Sequence, residues 1–152
     1  MDDALWALGR GTGVAALVLL TVTLLLGVLT RSGRSALGLP RFAVTEVHRT
    51  AALLATSFVA LHVVTLFFDP FAQLNLVDVF LPFLGAHEPL WLGLGTVALD
   101  LMIAVVATSL LRHRIGLRVW RALHWSTYAL WPVAFAHGLG DGSDYGAAWF
   151  FS

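Results

Sequence analysis

Four stretches of this chain stay apolar for longer than a soluble core element needs: Leu5 to Leu29, Val44 to Phe68, Leu90 to Leu111 and Arg118 to Leu139. Each is long enough for a helix rising about 1.5 Å per residue to cross about 30 Å of hydrocarbon. The pattern predicts an all-α, polytopic transmembrane helix bundle of four spans, forming one domain over residues 1–152. Between the second and third spans, "DPFAQLNLVDVFLPFLGAHEP" is too apolar for a free loop and too interrupted by proline and acids for a span. It reads as an interfacial helix lying on a membrane face. The closing "GAAWFFS" begins another apolar run and stops, the pattern of a truncated further span. The first run follows Asp2, Asp3 and Arg10 and is too long and leucine-rich for a cleaved signal peptide, so it counts as a true span.

Composition agrees with lipid as the main partner: 59% of the 152 residues are hydrophobic and 12% are charged. No nucleic-acid partner is expected. The absence of cysteine excludes disulfides, thiolate haem ligation, iron–sulfur clusters and thiol catalysis within these residues. Net charge is zero and carries no information, but its distribution does. Every basic residue is arginine; Arg31, Arg34 and Arg41 fall in the first connection, and Arg112, Arg114, Arg118 and Arg121 in or beside the third. The positive-inside rule makes those loops cytoplasmic. Asp69, Asp78, Glu88, Asp141 and Asp144 then lie outside, and four spans give an N-out, C-out protein of the bacterial cytoplasmic membrane. "GRGTGVAALV" contains glycines but opens a membrane helix rather than following a strand, so it is no dinucleotide fingerprint.

Candidate chemistry comes from histidine. His48 and His62 stand fourteen residues apart in the second span, a rise of about 21 Å over nearly four whole turns, so they share a face at two depths. His124 and His137 stand thirteen apart in the fourth, with Pro132 between them able to kink or rewind the helix. Both spans run outward from the cytoplasm, so His48 is level with His124 and His62 with His137. Imidazoles on facing helices can clamp one porphyrin in a six-coordinate, low-spin site suited to electron transfer, and two levels make two sites. Alanines such as Ala51, Ala52, Ala55 and Ala134 leave room for a flat macrocycle; the same residues also suit close helix packing. His87 and His113 fall at membrane surfaces and read as solvated side chains.

"EVHRTAALLATSFVALHV" followed by "VATSLLRHRIGLRVWRALHWSTYALWPVAFAHGLGDGSD" resembles the ferric-reductase-like transmembrane domain superfamily. That superfamily includes the membrane parts of ferric reductases and NADPH oxidases and the haem-binding subunit of methionine-sulfoxide reductase systems. The run from Thr108 to Tyr128 is the more specific half. The resemblance implies two b-type haems stacked across the membrane, with His48, His62, His124 and His137 as iron ligands. Family members commonly have about six spans and the large ones carry a soluble flavin and nicotinamide domain. These residues hold neither, so the resemblance implies an electron donor supplied from elsewhere, a separate protein or quinol, with flavin or quinone brought in through a partner or a peripheral site. It also implies an electron acceptor on the outer side.

Other residues admit two roles each. Arg49, Arg118 and Arg121, at the cytoplasmic level, suit either haem propionates or simple topology. Trp131 and Phe135, between the two levels, either fill the space between haems or pack the core; Trp125 and Tyr128 read as packing. Asp100 lies midway along the third span, where a carboxyl is costly. It either relays a proton, for instance to a quinone, or stays protonated and hydrogen-bonds a neighbouring helix. The reading is a dihaem membrane cytochrome, an electron-transferring oxidoreductase component. Its rivals are a quinol-coupled cytochrome b subunit and a haem-free transporter or assembly subunit.

Overall fold

The structure, a computed structural model, describes residues 2–32, 38–70, 72, 74–84 and 88–140. Arg34, His87, Asp141, Asp144 and the "GAAWFFS" run lie outside the described residues. The regular elements among them are all helices, in two compact units, residues 1–72 and 73–152.

The first unit is a pair of long helices, α1 (Asp2–Ser32) and α2 (Arg41–Phe68), packed against each other along most of their length. Small side chains make the close approach possible: Thr12 and Ala16 of α1 and Ala51, Ala55 and Thr65 of α2 are buried in the seam. A Cβ added at Gly9 would come within 3.1 Å of Leu66 Cδ2. Bulk is carried on the other flank of α1, where Val14, Val18, Val22, Leu25 and Val28 are exposed. Large apolar residues turned outward are the expected surface of a helix solvated by lipid, since hydrocarbon gives no drive to bury them. Hydroxyls in the helices bond back onto carbonyls a turn earlier, as Thr12 does to Leu8 (2.6 Å) and Thr56 to Ala52 (2.8 Å). That satisfies them without water.

The second unit contains α3 (Leu76–Phe80), α4 (Pro89–Leu110), α5 (Arg112–Ile115), α6 (Leu117–His124) and α7 (Thr127–Gly140). Helices α3, α6 and α7 pack on α4. The predicted interfacial segment is the single turn α3, whose start is fixed by Asp78: its Oδ2 accepts from the Asn75 backbone N–H at 3.1 Å. Asp78 is buried, and its carbonyl accepts from Thr96 Oγ1 of α4 at 2.6 Å. Phe83 follows with φ +66°, and its ring and backbone fill the notch left by Gly93.

Three helices, α1, α2 and α4, are long and apolar enough to cross a membrane, so the chain is a multi-pass membrane protein. The fourth predicted span differs: it is divided between α6 and α7 at Trp125–Ser126. The hydroxyls of Ser126 and Thr127 take the carbonyls of Leu123 (2.7 Å) and His124 (2.8 Å). Backbone bonds from Ser126 to Leu123, Tyr128 to Trp125 and Ala129 to Ser126 tighten to three-residue spacing. Pro132 lies inside α7, which continues through it, so the interruption comes nearly two turns before the proline. Upstream, Gly116 at φ +79° and ψ 154° occupies a region closed to side chains and separates α5 from α6.

Candidate functional site

In the first unit, α2 presents both of its histidines to α1. His48 Nδ1 lies 2.9 Å from the carbonyl oxygen of Thr23. His62 Nδ1 lies 2.7 Å from that of Gly9. A carbonyl can only accept, so in each ring Nδ1 carries the proton and donates it, which leaves the lone pair of the neutral imidazole on Nε2. Both rings rest against glycines of α1. A Cβ at Gly27 would come 3.3 Å from His48 Cε1, and one at Gly13 would come 3.0 Å from His62 Cε1 and Nδ1. Beside them, Thr23 Oγ1 is buried and has no hydrogen-bond partner among the described residues.

In the second unit, α7 holds His137 in the same way. Its Nδ1 lies 2.8 Å from the carbonyl oxygen of Trp91 on α4, and a Cβ at Gly95 would come 2.7 Å from Cε1. The end of α7 is seated by Gly140 against the Trp91 ring. His124, the last residue of α6, is held by an aromatic neighbour: its ring stacks on Trp120, with centroids 4.9 Å apart and planes inclined by 29°. Trp120 is tied to α4 through Nε1–H donated to Ser109 Oγ at 3.2 Å. All four histidines are half-buried.

Among the other predicted residues, Arg49, Arg118 and Arg121 are exposed, and Arg121 Nε donates back to Leu117 O at 3.2 Å. Asp100 is exposed midway along α4. Trp131 and Phe135 stack on each other at 5.2 Å with nearly parallel planes, while Trp125 and Tyr128 meet edge to face at 6.0 Å. His113 is exposed and accepts from Arg112 Nε at 3.4 Å.

The donor set fits a porphyrin better than a bare ion. A porphyrin brings four nitrogens, so its iron takes one or two imidazoles, whereas a structural ion site takes three or four protein ligands. Among the described residues no group of three or more histidine, aspartate or glutamate side chains converges to hold a metal ion. An imidazole whose Nδ1–H is held by a carbonyl is also the usual form of an iron-ligating histidine.

Sequence reasoning found the histidines but passed over the glycines and carbonyls that hold them. A signal for the first unit was available: Gly13 and Gly27 are fourteen residues apart, as are His48 and His62.

No curated protein and no solved structure matched the chain. A family model described as "Ferric reductase like transmembrane component" matches residues 12–135, taking in Gly13, Gly27, His48, His62, Gly95 and His124 and ending two residues before His137. With most of its length matched, the chain belongs to the ferric reductase like transmembrane component family, whose members generally bind haem and transfer electrons in membranes.

Proposed function

We propose that the chain is a b-type dihaem cytochrome passing electrons from a cytoplasmic-side donor to an acceptor on the outer side of the membrane. His48 and His124 hold the inner haem, and His62 and His137 the outer one, paired by their depth along the sequence. The observation that carries the reading is the set of three imidazoles, His48, His62 and His137, each donating Nδ1–H to a helix carbonyl, the tautomer in which Nε2 is the nitrogen that can ligate iron. A haem ligated by two imidazoles supplies reversible one-electron iron chemistry. The guanidinium groups of Arg49, Arg118 and Arg121, exposed on α2 and α6, bind the propionates of the inner haem. A separate donor, a flavin-bearing protein or quinol, supplies electrons at that face.

The test is a reduced-minus-oxidised optical spectrum with a haem-to-protein ratio, on protein expressed with haem supplied. Two haems per chain are expected. A preparation without a Soret band would support the haem-free transporter or assembly subunit instead. Orientation is tested by cysteine labelling of intact cells: Leu76→Cys, exposed on α3, should label from outside, and Arg114→Cys, exposed on α5, only after permeabilisation.

The quinol-coupled variant of this reading draws on Asp100, which is exposed at mid-span, where a mobile hydrophobic carrier dissolved in lipid has access. Asp100→Asn keeps the shape but cannot ionise. It should lower quinol-supported turnover at neutral pH by about tenfold or more with both haems retained. Unchanged turnover assigns Asp100 a structural role.

A further inference from the structure

Three of the four histidines are seated on the same small device, repeated in two units. The accepting carbonyl in each case belongs to the residue four positions before a glycine: Gly9 before Gly13, Thr23 before Gly27, Trp91 before Gly95. Each glycine is also the residue whose missing Cβ makes room for the ring, with the spaces graded at 2.7 Å for Gly95, 3.0 Å for Gly13 and 3.3 Å for Gly27. Helix geometry links the two facts. The Cα–Cβ bond leans toward the helix N-terminus, so a side chain at position i+4 lies over the carbonyl of residue i. That carbonyl already accepts the helical N–H but keeps a second lone pair. An imidazole reaches the second lone pair from the side only where the covering side chain is absent.

We propose that Gly13, Gly27 and Gly95 are positioning residues for the iron ligands: each uncovers one helix carbonyl so that an imidazole docks through Nδ1–H and directs Nε2 at the haem. The inference rests on the haem reading above and adds to it which residues fix ligand tautomer and ring orientation. A donated Nδ1–H also makes the imidazole a stronger electron donor to iron, which stabilises the ferric state. The outer haem, with His62 and His137, has two ligands seated in this way. The inner haem has His48 seated on a glycine, and its second ligand is the Trp120-stacked His124; α4 has no glycine after Gly95.

The test uses the full chain, purified with haem, and follows each haem by redox titration and by the low-spin ferric electron paramagnetic resonance signal, which reports ligand-plane orientation. In Gly13→Ala and Gly95→Ala the outer haem should titrate at a higher potential, so that its ferric-to-ferrous ratio at a fixed ambient potential falls, because a weaker imidazole donor favours the ferric state less. Its resonance signal should shift while the inner signal stays. Gly27→Ala, the mildest at 3.3 Å and the variant surest to fold, should shift the inner haem alone. Two controls isolate the effect from packing. A Cβ at Gly11 meets nothing within 4 Å, and one at Gly93 meets Phe83 rather than a histidine. Gly11→Ala should leave both haems unchanged, and Gly93→Ala should lower thermal stability without a level-specific shift in potential. Wild-type potentials and signals in Gly27→Ala and Gly13→Ala would overturn the positioning role while leaving the haem reading standing. A wild-type protein that takes up no haem overturns the reading beneath it.

Discussion

The two units carry histidine pairs of nearly equal spacing and aim them by different means. In the first, α2 is unbroken, and fourteen residues of ideal helix return within about 40° of the starting face, so α1 can serve both rings with one row of seats. In the second, thirteen residues of ideal helix would leave the rings about 140° apart. The interruption at Trp125–Ser126 changes that count. At three residues per turn each tightened residue advances about 120° rather than about 100°, which rotates His137 toward the face that carries His124. Only His137 of this pair rests on a glycine; His124 rests on an indole. Spacing therefore sets the depth of each histidine, while its neighbours set how its ring is held.

The largest effect that tests this comparison comes from removing a ligand. His137→Ala should abolish the outer haem component and stop reduction of an outer acceptor, because about 21 Å separates the two levels along a helix. The inner component should survive and still be reduced from inside, and His48→Ala should give the converse. If His137→Ala and His124→Ala remove the same spectral component, pairing by depth is wrong.

A second experiment removes the difference between the units by straightening the helix. Ser126→Ala combined with Thr127→Ala deletes the hydroxyl bonds to Leu123 and His124 and favours a regular α6–α7. The phase of His137 against His124 should move, and the haem-to-protein ratio should fall below wild type. An unchanged ratio and spectrum would show that the hydroxyls do not set the phase.

Trp120→Ala sharpens the contrast between the two kinds of seat. It removes a stack worth about 0.5–1.5 kcal/mol and the bond to Ser109, worth about 1 kcal/mol. The inner haem signal should broaden while the outer one holds. Ser109→Ala, which removes the bond alone, should give the smaller change in both stability and line shape.

The smallest effect belongs to a contact remote from the histidines. Thr96→Val loses the bond to the Asp78 carbonyl and should lower thermal stability by about 1 kcal/mol or less, as buried membrane hydrogen bonds do, with spectra unchanged. A spectral shift in this variant would mean that α3 reaches further into the site than its contacts indicate.

The three long helices were legible in the sequence because crossing hydrocarbon demands a length and an apolarity that one dimension records. The split of the fourth was not, because "HWSTYALWP" stays apolar enough to read through. Pro132 drew attention as the visible helix breaker, but the tightening comes from two hydroxyls competing for carbonyls, a choice that depends on rotamers. The histidines were legible by spacing. Their seats were not, since the glycines of "GRGTGVAALV" match no dinucleotide fingerprint and the accepting groups are backbone carbonyls that every residue has. Which carbonyl is uncovered depends on the facing helix. The segment between α2 and α4 was legible as a separate element but not in its fixing point, the buried Asp78.

The two flanks of α1 also bear on how this chain can change by mutation. At 14, 18, 22, 25 and 28 the side chains are exposed among the described residues, so valine, leucine, isoleucine and phenylalanine should exchange there with little consequence. At 9, 13 and 27 a single added carbon meets Leu66 or an imidazole, and Thr12 and Ala16 are already enclosed. Codon-level tolerance along α1 should therefore rise and fall with the 3.6-residue turn of the helix. A saturation library selected for function would show that wave on a stretch whose hydropathy alone looks uniform, with drift confined to one side of a cylinder and the other side held nearly still.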